Sequence, residues 1–227
     1  MKLFSKTVAA AAIAGAAAIA TPAAAQISGN IGIVNAPATI AASDALRTAF
    51  QQIGTTYSAQ ITQIQEKQQQ VQTLLRQLDT NGDGSLDQAE QQAAQSAPQA
   101  QQLQTLEQEI AQLSNQVESA RVYAIQQILQ QYSASLQTVA SQNSVQMILA
   151  PDAVIYTDPA ANMNDKVVAA LNQRVPSVQI TPPEGWQPAQ QAVGIYQEVQ
   201  QILMIASARQ QQAAQQQQQP TAQPTGR

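Results

Sequence analysis

From Tyr57 onward, apolar residues recur at alternating spacings of three and four. Tyr57, Ile64, Val71 and Leu78 lie seven apart, and Ile61, Gln68 and Leu75 fill the second position of the same heptad, with Gln68 as its polar defect. A second seam runs through Leu103, Leu106, Ile110, Leu113, Val117, Ala120 and Ala124. Beyond Ala124 the apolar face widens to Ile125, Ile128, Leu129, Tyr132, Leu136 and Val139, the mark of a helix entering a broader core. Two such helices joined by a turn predict an antiparallel coiled-coil hairpin over 57–141. Its first helix alone, 57–78, spans roughly 33 Å at 1.5 Å per residue.

The flanks change period. Ile31-Gly32-Ile33-Val34-Asn35 predicts a strand, and Ser43 or Asp44 caps a helix carrying Leu46, Phe50 and Ile53. After the hairpin, 145–150 and 153–156 predict two short strands around a turn at Pro151-Asp152. Residues 165–173 predict a short amphipathic helix, and 181–188 a Pro-containing linker whose Trp186 is expected to pack on its own domain. Residues 190–209 predict one more helix, with Val193, Tyr196, Val199, Gln200 and Leu203 near one face, and 210–227 a disordered Gln/Pro tail. The expected fold is α+β and predominantly helical. A long hairpin projects from a small β body, whose two parts are 26–56 and 142–178. Three strands are too few for a stable sheet, so oligomerisation is expected to complete it.

Composition narrows the chemistry. The 227 residues contain no cysteine and no histidine, which removes disulfides, Cys/His zinc sites and His-based triads. Charged residues are 11% of the chain, against roughly 25% in an average domain, and 46 glutamines supply the polarity instead. With a net charge of −4 the chain lacks the basic footprint of a nucleic-acid binder. No nucleophile–base arrangement can be assembled, so the protein is not expected to be an enzyme. Lys2 and Lys6, the apolar stretch from Thr7 to Ala20 and the small residues Ala23-Ala24-Ala25 read as a signal peptide, 1–25, cut before Gln26. Its loss leaves a mature chain of net charge −6.

One motif carries sharper chemistry. Asp79-Thr80-Asn81-Gly82-Asp83-Gly84-Ser85-Leu86-Asp87-Gln88-Ala89-Glu90 matches the twelve-residue EF-hand calcium loop. Asp79, Asn81 and Asp83 occupy positions 1, 3 and 5, and Gly84 gives the sharp turn at position 6. The Ser85 carbonyl falls at position 7, Asp87 at 9 and Glu90 at 12. A single weak Ca²⁺ site is expected, at roughly 10⁻⁴–10⁻³ M. Asn-Gly-Asp-Gly is also ordinary turn chemistry, but a plain turn has no use for Asp87 and Glu90.

The layout resembles the OmpH/Skp family of periplasmic chaperones. The resemblance is carried by residues 31–35, by the helical hairpin, and most specifically by 145–156 followed by 165–172. It implies a homotrimer whose hairpin arms surround a cavity in the periplasm, holding unfolded outer-membrane proteins without ATP during outer-membrane biogenesis. Family arms are typically rich in Lys and Arg, whereas here they are glutamine-rich, so direct membrane binding is not expected. The second reading of the residues is a calcium-stabilised coiled-coil scaffold or adaptor of the cell envelope with a folded partner.

Overall fold

A computed structural model describes residues 30–218, so the expected signal peptide lies outside the described residues. Strand β1 (Asn30–Ile33) leads into α1 (Ala36–Ala41) and α2 (Asp44–Thr56). Helix α3 (Ser58–Leu78) climbs the arm, α4 (Gln88–Ser96) turns at its tip, and α5 (Pro98–Gln142) descends into the body. Strand β2 (Val145–Leu149), α6 (Asn164–Arg174) and α7 (Gln190–Gln218) follow.

Local chemistry sets the element boundaries. The Asn35 side chain accepts from Ala38 N at 2.9 Å and caps α1, whose second residue is Pro37. Ser43 caps α2: its hydroxyl accepts from Leu46 N at 3.3 Å and donates to Ile40 O at 2.7 Å, so this buried residue is satisfied twice. Pro98 begins α5 and holds Ala97 extended at ψ 144°, which separates α4 from α5. The return side of the hairpin is therefore two helices rather than one.

The sheet has two strands. β1 and β2 pair in parallel, with Ile31 opposite Met147 and Ile33 opposite Leu149. A parallel pair needs a crossover, and here the crossover is the entire arm. Gly32 sits at a close approach: a Cβ there would lie 3.1 Å from Met163 Cγ and 3.2 Å from Val145 Cγ1, so a larger residue would push these side chains aside. The expected third strand at 153–156 does not form. Pro151–Ala153 is a 3-10 turn, and Ile155 and Tyr156 stand fully exposed beyond it. The segment pairs with neither strand of the sheet, so its strand propensity is not realised.

The core sits where α1, α2, α5, α6 and α7 meet. Ile40, Leu46, Ile125, Ile128, Val139, Val167, Leu171 and Val199 are fully or almost fully buried in it. Each buried Ile or Leu contributes about 1.5–3 kcal/mol. The widened face of α5 thus enters a broad core, as its pattern predicts. Helix α7 runs to Gln218 rather than ending at Arg209, because Ala and Gln are strong helix formers; part of the expected disordered tail is helical, and 219–227 lie outside the described residues. The segment between α6 and α7 lies strapped across α5. Gln127 exchanges two hydrogen bonds with the Gln179 backbone (2.8 and 3.0 Å), and Gln126 Oε1 accepts from Ala189 N at 3.1 Å. Trp186 packs edge-on against Tyr123 at 5.2 Å, as expected for a residue that serves its own domain.

Candidate functional site

The arm is an antiparallel pair of helices: Tyr57 and Ile61 cover Val117 and Ala120 at the root, and farther out Lys67 Nζ on α3 donates to Glu109 Oε2 on α5 at 2.6 Å. The seam on α5 follows its heptad, and every residue from Leu103 to Ala124 named for it is at least half-buried. The seam on α3 differs from expectation at its second position. Lys67 and Leu74 face α5 in place of the expected Gln68 and Leu75, and Leu75 is 39% exposed. Tyr57, Ile64, Val71 and Leu78 keep their seven-residue spacing, and the second seam position lies three residues after them, at Gln60, Lys67 and Leu74, rather than four. At the arm root, Ile53 of α2 and Val117 and Ala120 of α5 form a separate apolar cluster, covered by Phe50, Tyr57, Ile61, Ile64 and Ile180.

The tip holds all six residues of the expected calcium site. Gly82 and Gly84 take φ +74° and +86°, a left-handed backbone that favours glycine and gives the loop its curl. Asp79 accepts from Gly82 N (2.7 Å) and Gly84 N (2.9 Å), and Asn81 Oδ1 accepts from Asp83 N (2.9 Å). Asp83 accepts from Ser85 N (2.8 Å) and from the Ser85 hydroxyl (2.9 Å), donors that hold its carboxyl below the usual range. Asp87 caps α4 by accepting from Glu90 N at 2.9 Å, and Glu90 Oε2 accepts from Asp87 N at 3.1 Å. This reciprocal capping box gives both acids a use in a metal-free turn, which corrects the expectation that such a turn has none.

Glu90 does more than cap. It is 7% exposed, and its Oε1 accepts from Thr80 N (2.7 Å), the Thr80 hydroxyl (2.8 Å) and Asn81 N (3.0 Å). Thr80 was not marked by the calcium pattern, in which position 2 carries no ligand, whereas the Asp87–Glu90 spacing did carry the capping-box signal. The loop backbone fits a calcium loop, yet among the described residues no group of three or more acidic side chains converges closely enough to hold a metal ion. Glu90 faces N–H donors instead.

These donors, the Thr80 hydroxyl first, lower the Glu90 pKa from its ordinary 4.5. A lowered folded value means the contribution is fully present above pH 4.5 and is lost as pH falls through the folded value. The Thr80 and Asn81 amide resonances are therefore expected to titrate together, with a midpoint below 4.5, in an acid NMR series. A midpoint at or above 4.5 contradicts this geometry.

Body and arm together are what known proteins match. The profile of the family described as outer membrane protein (OmpH-like) aligns with residues 30–171, from β1 almost to the end of α6. The chain belongs to the OmpH-like family. The 2.83 Å crystal structure of a candidate OmpH-like outer membrane chaperone from Caulobacter crescentus is similar at 19% identity and TM-score 0.41, over 70% of this chain and 94% of that one. No curated protein matches the chain. The OmpH-like region stops before the strap and α7, so those two elements add to what the family profile covers. Among the described residues, no helix of this OmpH-like chain is long and apolar enough to cross a membrane.

Proposed function

We propose that the chain is a periplasmic, ATP-independent holdase. It shelters unfolded outer-membrane proteins during envelope assembly and works by surface and enclosure rather than by catalytic residues. Family membership over residues 30–171, the arm and most of the body, carries this reading. The N-terminal export pattern supports the compartment. Association into a homotrimer is supported by the two-stranded sheet, too small to stand alone, and by the fully exposed Ile155 and Tyr156 beside it. The test dilutes a denatured outer-membrane β-barrel protein into buffer with an excess of mature chain, 26–227, and follows light scattering. Suppression supports the holdase, and scattering equal to that of the client alone overturns it for that client.

The tip loop belongs to the same reading as a weak calcium site of Asp79, Asn81, Asp83, the Ser85 carbonyl, Asp87 and Glu90. The twelve-residue pattern supports it, as does the loop curvature at Gly84. Binding exchanges the N–H donors on Glu90 for the ion, which stiffens the tip. Calcium titrated calorimetrically into the mature chain is expected to bind at roughly 10⁻⁴–10⁻³ M, and Asp79→Asn or Glu90→Gln to weaken it about tenfold or more. Absence of heat together with an unchanged melting curve in excess calcium contradicts the site.

A further inference from the structure

The distal arm carries a cleft that neither the tip loop nor the core explains. It lies between α3 and α5, measures about 1010 Å³, and is walled by Gln69, Gln70, Gln101 and Gln102 over Leu74 and Leu106. The four glutamines are solvent-exposed. Thr73 and Thr105, on the same wall, turn their hydroxyls back onto the Gln69 and Gln101 carbonyls of their own helices (2.9 and 3.0 Å). The polar groups left for an occupant are chiefly carboxamides, with Glu66 the one ionisable side chain on the wall.

Resting on the holdase reading, we propose that this cleft seats an extended segment of unfolded polypeptide. Its glutamine carboxamides pair with the backbone amides of the client. Each carboxamide offers two donors and an acceptor. Each residue of an unfolded chain presents the complementary N–H and C=O, whatever its side chain. Such a grip is blind to sequence, as a holdase with many clients requires. The length of wall from Glu66 to Leu74 is about 12 Å of helix, room for about four extended residues. Leu74 and Leu106 give the segment an apolar floor. A lining with one carboxylate and no cation sets this apart from capture by a cationic surface, which weakens as salt screens it. Capture here is insensitive to ionic strength.

The test measures binding of a fluorescently labelled, denatured outer-membrane β-barrel protein to the mature chain by anisotropy, in low salt and in about 0.5 M NaCl. The affinity is expected to change less than about twofold between the two salts. The quadruple variant Q69A/Q70A/Q101A/Q102A is expected to bind about tenfold more weakly in both. Alanine is the better helix former, so circular dichroism should show the arm intact. A second variant, Q70K/Q102K, is expected to bind with a salt dependence that the native chain lacks. Strong native binding that falls about tenfold or more with salt, or a quadruple variant that binds as the native chain does, overturns the cleft and leaves the holdase standing. A native chain that binds no unfolded client in either salt overturns both.

Discussion

Val199→Asp in α7 is expected to destabilise the protein by about 3 kcal/mol or more, lowering the melting temperature by about 6–12 °C. Val199 is fully buried in a cluster with Ile40, Ile125 and Ile128, and among the described residues no lysine or arginine is buried. A carboxylate there has no cation to meet and must stay unpaired or take a proton, and either outcome favours release of the helix. Val199→Ala opens only a small cavity and should cost much less. Trp186 is the only tryptophan and lies just ahead of α7, packed on Tyr123. Its emission should shift to the red in the Asp variant if releasing α7 also lifts the strap. An unchanged melting curve would mean that α7 is not part of the core, although it lies outside the OmpH-like region.

Ile53→Ala comes next, with an expected loss of about 2–5 kcal/mol. Ile53 is fully buried at the arm root against Val117 and Ala120. The root is the apolar contact that holds the end of α2 and the start of α3 onto α5. Farther out, the helices meet through a sparser seam and the Lys67–Glu109 pair, which is partly exposed and contributes about 1 kcal/mol or less. The variant should therefore show faster amide exchange along α3, Ser58–Leu78, than along α6, Asn164–Arg174. Uniform acceleration in both would place Ile53 in a single cooperative core and contradict a separate arm root.

Much of this was legible in the sequence because helices repeat at a short period. The apolar seam of α5 and its widening at Ile125 follow from spacing alone. The α3 seam was legible as a helix but not in its second position, since Leu74 and Leu75 are adjacent and equally apolar, and only the packing against α5 chooses between them. The partner of β1 lies more than a hundred residues away, so its parallel pairing with β2 leaves no local mark. The apolar run at 153–156 predicts a strand because composition reports propensity and not whether the chain turns back to pair. At the tip, the acids were legible and their partners were not. Whether Glu90 faces an ion or the Thr80 and Asn81 N–H groups depends on a side-chain orientation that no spacing encodes.

The central claim is that this OmpH-like chain holds clients because they are unfolded. The most direct measurement presents one outer-membrane β-barrel protein in two forms, denatured and folded in detergent, to the mature chain, and weighs the complexes by light scattering after size exclusion. The account predicts a complex of three copies with the unfolded form and none with the folded form. A complex with the folded barrel alone would contradict it and point to an envelope adaptor.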